Sequence, residues 1–106
     1  MSNLLFVCSK NQWRSPTAEA LFKNHPLHIA KSAGTGSKAR IKINQKLIVW
    51  ADIIYVMEHK HKELLRLRFP DAINNKKIET LNIPDKYSFQ DPMLIEILKS
   101  DLFEYL

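Results

Sequence analysis

The sequence predicts an α/β fold: a single domain over residues 1–106 with a four-stranded parallel sheet, doubly wound, with helices on both faces. The first observation is that short apolar, strand-like segments alternate four times with helix-like segments, a pattern typical of parallel sheets. The second is the length of 106 residues, which suits one domain. The third is the composition, 45% apolar and 25% charged, which is that of an ordinary globular protein and excludes a disordered chain.

The first half of the fold begins with the apolar run at residues 4–8, which predicts a strand buried on both faces. Ser15 and Pro16 predict a helix start, with Ser15 as the N-cap and Pro16 at the first helical position. Residues 28–33 predict a weaker strand that ends at Gly34.

The second half continues the alternation. Asn44 can cap a helix that extends to residue 51. Residues 53–57 are β-branched and aromatic and give the clearest strand signal. A basic helix is predicted at residues 59–69, and a moderate strand at residues 77–83.

The loop after the first predicted strand, residues 8–14, is the candidate functional site, since ligands of such sheets bind at the carboxyl ends of the strands. Loop amides and the following helix N-terminus can bind a phosphoryl group, and Arg14 can hold two of its oxygens. The same positive field would stabilise the thiolate of Cys8 as a nucleophile. The Ser15 hydroxyl can either cap the helix or hydrogen-bond that thiolate. The alternative is a buried structural cysteine followed by an unrelated arginine.

The chain also carries a series of longer motifs. Residues 7–19 resemble the signature of the low-molecular-weight protein tyrosine phosphatases. Further segments resemble other motifs of that family in the same order, at residues 32–35, 38–40, 52–58 and 83–87. The resemblance therefore covers nearly the whole chain.

The resemblance implies hydrolysis of phosphotyrosine through a cysteinyl-phosphate intermediate. Cys8 would be the nucleophile, Arg14 would bind the phosphoryl group with the loop amides, and Asp85 would be the general acid. Asn11 would hold the loop in shape, and Ser15 would support the thiolate. The residues expected around the substrate are Ser9, Lys10, Asn11, Gln12, Trp13 and Ser15.

Several positions depart from the family pattern. Lys10 stands where the family usually has glycine, and Trp13 where it often has a second cysteine. Lys86 replaces a common proline, and Glu58 a usual aspartate. The segment at residues 35–38 is short, whereas in the family a longer loop and helix there carry an aromatic wall of the substrate cleft. We expect Trp13 to be a partly exposed wall of the cleft.

Two aspartates compete for the role of acid. Asp91 precedes Pro92 and an apolar periodic run to residue 102, which predicts a helix N-cap. Asp85 lies in an irregular, proline-containing loop with no helix to cap. The acid role therefore falls to Asp85.

The histidines and the net charge give no second site. His59 and His61 are two residues apart on a predicted helix and share no face, so we expect a solvated basic surface and no metal pair. The net charge of +5 favours anionic partners, but no aromatic-basic motif accompanies it, so nucleic acid is a weak alternative.

The expected partner is a phosphorylated protein or a small phosphate ester. No cofactor or metal is expected, because Arg14 and the loop amides would neutralise the phosphoryl oxygens. The longest apolar stretch, residues 47–57, is too short to span a bilayer, and one cysteine without a disulfide favours the cytoplasm. Two other functions stay open: a phosphate-ester binding module without turnover, and a thiol-based arsenate reductase, which the single cysteine disfavours.

Overall fold

All four strands of the sheet are parallel, in the order β2-β1-β3-β4. The computed structural model describes residues 2–106. The strands are β1 (Ser2–Cys8), β2 (His28–Gly34), β3 (Ile53–Val56) and β4 (Lys77–Thr80). The helices are α1 (Arg14–Leu21), α2 (Gln45–Trp50), α3 (His59–Arg68) and α4 (Pro92–Asp101), followed by a 3-10 helix (Phe103–Tyr105).

The central strand β1 is buried on both faces, as its unbroken apolar run predicts. Leu4, Phe6 and Cys8 pack on one face, in a core that also contains residues of α1 and α4. Leu5 and Val7 pack on the other face, against residues of α2 and α3. Helices therefore cover both faces, and the doubly wound α/β fold is confirmed.

The helix caps follow the local sequence at two of three predicted positions. The side chains of Asn44 and Asp91 each accept a hydrogen bond from a backbone amide of the helix that follows, at 2.9 Å and 2.8 Å. The predicted N-cap at Ser15 is wrong: α1 begins at Arg14, and Trp13 takes the N-cap position without a side-chain hydrogen bond. The Ser15 hydroxyl is used in another contact, described below.

The fourth strand is shorter than predicted. It ends at Thr80, although the backbone N–H groups of Leu81 and Ile83 still donate to the end of β3 and the residue after it. Between them Asn82 has a φ of 58°, a left-handed conformation that interrupts the regular strand.

The switch point of the sheet lies between β1 and β3, which pair in parallel at its centre. The chain leaves β1 towards α1 on one face and leaves β3 towards α3 on the other. A crevice at the carboxyl ends of these strands follows from that divergence. Within residues 2–106, no helix has the length and apolar character needed to cross a membrane.

Candidate functional site

The Cys8 loop, residues 8–14, connects β1 to α1 and places a buried thiol at the switch point. The backbone N–H of Asn11 donates to Cys8 Sγ at 3.3 Å, so the chain turns back over the sulfur. Asn11 makes this turn with a φ of 56°, a conformation that asparagine tolerates better than most residues. This backbone conformation supports the expected role of Asn11 in holding the loop in shape, which stays a prediction.

A buried series of hydrogen bonds runs from Glu19 to Cys8. Ser32 Oγ donates to the Glu19 carboxylate, which can only accept, and Asn11 Nδ2 then donates to Ser32 Oγ at 2.9 Å. The same Nδ2 donates to Ser15 Oγ at 2.8 Å. Ser15 is thus an acceptor from Asn11, and its own hydrogen can point to Cys8 Sγ, 2.9 Å away. A hydroxyl donor directed at the sulfur stabilises a thiolate.

The short segment at residues 34–40 holds the Cys8 loop from the outside. Backbone amides of Thr35, Gly36 and Arg40 donate to loop carbonyls at 2.9, 2.9 and 3.0 Å. Gly34 makes the closest approach, because a Cβ there would lie 2.5 Å from the carbonyl oxygen of Ser9. The segment therefore needs a glycine at this position to reach the loop.

Arg14 is 2% exposed and is fixed from three directions. Its Nη1 donates to Glu58 Oε1 at 2.5 Å and to the carbonyl oxygen of Ile83 at 2.8 Å, and its Nε lies 3.7 Å from Asp85 Oδ1. Burial opposes ionisation of Glu58, but the hydrogen bond and charge of Arg14 outweigh it, so the pKa of Glu58 is lowered. Both hydrogen bonds that fix the guanidinium thus use Nη1, and Nε is held only by the longer ion-pair contact to Asp85.

Asp85 reaches the same cleft from the loop after β4. The preceding Ile83 is held at both ends, since its N–H donates to the Met57 carbonyl at 2.8 Å and its own carbonyl accepts from Arg14. The Asp85 side chain is 44% exposed beside the buried Arg14. The exposed Asp85 carboxyl group thus lies at the opening of a pocket that also contains the buried Arg14 guanidinium.

A small cavity brings a thiol, a guanidinium and a carboxyl together. It is lined by Cys8, Lys10, Gln12, Trp13, Arg14 and Asp85. Trp13 lines this cavity and is 42% exposed, and its expected role as a wall of the substrate cleft stays a prediction. The arrangement can hold an oxyanion near a nucleophilic sulfur, with a proton donor opposite.

The other three expected substrate-binding residues lie outside the lining of this cavity. Asn11 and Ser15 are buried, and their side chains contact each other and the groups behind the loop. The Ser9 hydroxyl is 2.9 Å from Nε2 of His61. Through their side chains, these residues support the loop from behind.

The expectation of a solvated surface at His61 is wrong. His61 is 0% exposed, whereas His59 is 69% exposed and lies 3.2 Å from Glu63. Nδ1 of His61 accepts from the backbone N–H of Glu58 at 3.1 Å. Burial, followed by the charge of Arg14, lowers the pKa of His61 to about 4. The sequence signal for this contact is the spacing of three between Glu58 and His61, which form a capping box.

Comparison with known proteins identifies sequences that are similar to this chain. A family model described as low molecular weight phosphotyrosine protein phosphatase matches residues 3–50, which include the Cys8 loop. A protein-arginine-phosphatase of Geobacillus stearothermophilus is 32% identical over 93 residues, covering 65% of this chain and 63% of that relative. In sequence, the chain is similar to the low molecular weight phosphotyrosine protein phosphatases over residues 3–50 and to the arginine phosphatase over 65% of its length.

Solved structures share the fold of this chain over nearly its full length. The arginine phosphatase YwlE of G. stearothermophilus has a TM-score of 0.74 at 24% identity, covering 100% of this chain and 98% of that one. The tyrosine phosphatase Wzb of Escherichia coli K30, bound to phosphate, has a TM-score of 0.77 at 23% identity, covering 99% and 96%. A Streptococcus pyogenes low molecular weight protein tyrosine phosphatase gives 0.78 at 18% identity, covering 100% and 94%.

Proposed function

We propose that the protein is a cysteine-dependent phosphatase that hydrolyses phosphate monoesters, with phosphotyrosine in proteins as the leading substrate class. The observation that supports this most strongly is the meeting of three groups in one cavity: the Cys8 sulfur, the fixed guanidinium of Arg14 and the carboxyl of Asp85. Each supplies a different requirement of phosphoryl transfer, namely a nucleophile, charge stabilisation and a proton.

In the first step, the Cys8 thiolate attacks phosphorus. A P–S bond forms, the bond between phosphorus and the leaving oxygen breaks, and Asp85 gives its proton to that oxygen. The Nε and Nη2 edge of Arg14 binds the equatorial oxygens, on which negative charge is spread in the transition state. The Ser15 hydroxyl stabilises the thiolate before the attack.

In the second step, water attacks the cysteinyl phosphate. Asp85, now ionised, takes a proton from that water, the P–S bond breaks, and inorganic phosphate leaves the regenerated thiolate. Positioning and charge stabilisation carry most of the catalysis in this scheme, because Arg14 is already held by Glu58 and Ile83 before substrate binds.

Phosphoarginine is a second candidate substrate, because the 32% identical relative is a protein-arginine-phosphatase. The half-exposed Trp13 offers a flat aromatic face beside the cavity, and such a face can stack on either a phenol ring or a guanidinium group. Two peptides of one sequence, one with phosphotyrosine and one with phosphoarginine, separate these candidates by their relative kcat/KM. Preference for the phosphoarginyl peptide would overturn phosphotyrosine as the leading class.

The proposed partner is thus a phosphorylated protein or a small phosphate ester, and the proposed location is the cytoplasm. A reducing compartment suits chemistry that depends on a single thiol, because oxidation of Cys8 would remove the nucleophile.

The proposal is tested with a series of aryl phosphates whose leaving groups differ in basicity. A general acid contributes about 10² to 10⁴ in rate, and a poor leaving group depends on it most. Asp85→Asn should therefore slow an unactivated phenyl phosphate strongly and a nitrophenyl phosphate less. Asp91→Asn is the matched control, since it removes a nearby carboxyl that caps α4 and asparagine caps about as well.

Equal losses on all leaving groups for Asp85→Asn would remove it from the acid role. A leaving-group-dependent loss in Asp91→Asn alone would reverse the assignment. A wild-type protein that binds phosphate and turns over none of the esters would instead be a binding module.

A further inference from the structure

We propose that His61 is a positioning residue of the phosphatase site. Its two ring nitrogens fix the Cys8 loop and Glu58, the carboxylate partner of Arg14, relative to each other. His61 lies on α3, on the opposite side of the sheet from α1. It touches neither the cavity nor the thiol, so its effect passes through other residues. The inference rests on the proposed function, and its test includes a measurement that does not need turnover.

The first step concerns which ring nitrogen carries the hydrogen. Nδ1 accepts from the backbone N–H of Glu58, so Nδ1 bears a lone pair. In the neutral ring the hydrogen then lies on Nε2, which donates to Ser9 Oγ at 2.9 Å. Burial and the charge of Arg14 lower the pKa of His61 to about 4, which keeps the ring in this neutral form at pH 7.

The second step concerns the Nδ1 side. Glu58 is the N-cap of α3, and its carboxylate accepts from Arg14 Nη1 at 2.5 Å. The bond from Glu58 N–H to Nδ1 fixes the backbone from which that carboxylate extends. His61 thereby sets the position of the group that orients Arg14.

The third step concerns the Nε2 side. Ser9 is the residue after Cys8, and its hydroxyl accepts from His61 across a separation of 52 residues in sequence. An oxygen that accepts from His61 turns its own hydrogen away from the ring. The contact therefore orients both the Ser9 hydroxyl and the first turn of the Cys8 loop.

Asparagine and glutamine at position 61 separate the two contacts. The amide oxygen of asparagine matches the position of Nδ1 and can accept from Glu58, but its side chain is too short to reach Ser9. The amide nitrogen of glutamine matches Nε2 and can donate to Ser9. His59→Asn is the matched control, since it makes the same change two residues away on the exposed surface of the same helix.

We expect His61→Asn to lower kcat/KM for an aryl phosphate about 10-fold to 100-fold, as misplacement of a site by about 1 Å does. His59→Asn should stay within about 2-fold of wild type, as substitutions away from such features usually do. Adding Ser9→Ala should lower kcat/KM in the wild-type and His61→Gln backgrounds, which keep a donor to Ser9. In the His61→Asn background it should add nothing further.

Alkylation of Cys8 by iodoacetate gives the readout that is independent of turnover, because Cys8 is the sole cysteine of the chain. Inorganic phosphate should protect wild type and His59→Asn, and about 10-fold more phosphate should be needed to protect His61→Asn, in keeping with a displaced site. If His61→Asn does not fold, Ser9→Ala and Ser9→Thr in the wild-type chain test the same contact, since threonine keeps the hydroxyl and should retain the activity.

The outcomes separate the inference from the proposed function. Absence of turnover in wild type, with phosphate protection intact, defeats the proposed function and leaves the His61 test readable. Identical phosphate protection in His61→Asn and His59→Asn overturns the inference. So does an equal effect of Ser9→Ala in all backgrounds, because a purely structural histidine would give that result.

Discussion

Acidification should destabilise the protein through His61. Burial and then the charge of Arg14 lower the pKa of His61 from 6.5 to about 4 in the folded protein. Between these values the unfolded chain binds a proton that the folded chain does not. The free energy of unfolding therefore rises with pH across this window. The contribution of His61 to it is lost as the pH falls from 7 towards 4.

The size of the effect follows from the two pKa values. Proton uptake by the unfolded chain, integrated from pH 7 to pH 5, corresponds to a loss of about 2 kcal/mol attributable to this one ring. Burial followed by the charge of His25 also lowers the pKa of His28, which contributes with the same sign. The lowered pKa of Glu58 acts at more acidic pH, because that carboxylate stays ionised through this window.

Urea unfolding at pH 7 and pH 5, followed by circular dichroism, measures this loss. The comparison uses wild type, His61→Asn and His59→Asn, all of which keep His28. Wild type and His59→Asn should lose about 2 kcal/mol more between the two pH values than His61→Asn does. An equal loss in all three proteins would refute the reasoning, because the buried ring would then not be the group that titrates.

Three further changes give distinct outcomes. Gly34→Ala should lower the free energy of unfolding by about 1–3 kcal/mol and reduce Tm, because the alanine Cβ would lie 2.5 Å from the Ser9 carbonyl oxygen. An unchanged Tm would contradict the close approach of these two segments. Arg14→Lys keeps the charge but loses the two-pronged donor, so kcat should fall about 10²-fold or more, and near-normal turnover would remove Arg14 from phosphoryl binding. Asp91→Ala should lower the free energy of unfolding by about 1 kcal/mol while Asp91→Asn stays near wild type, and equal stability of the two variants would argue against the cap.

Local signals in the sequence predicted most of the fold. The unbroken apolar run at residues 4–8 predicted the central strand because a strand covered on both faces has no polar side. Asn44 and Asp91 were predictable as caps because a cap bonds to amides within the next three residues. These features depend on residues that are neighbours in sequence, and they can therefore be predicted from the sequence alone.

The errors occur where distant residues decide the outcome. Ser15 looks like an N-cap by its sequence, but its hydroxyl is engaged by Cys8 and Asn11. His61 looks like part of a basic surface, but Ser9 of the Cys8 loop, 52 residues away in sequence, lies against it. The motif residues predicted which groups meet in the cavity. The spacing of Glu58 and His61 signals their capping box, but the contact from His61 to Ser9 could not be found without the tertiary structure.

The most direct test of the central claim follows the two products of an aryl phosphate separately in wild type and Cys8→Ser. If a cysteinyl phosphate forms, rapidly quenched wild-type protein carries phosphate on Cys8. The phenol then appears before the inorganic phosphate, and Cys8→Ser binds phosphate but releases neither product. Equal rates of hydrolysis in wild type and Cys8→Ser, or release of both products with no phosphate on the protein, would contradict the account.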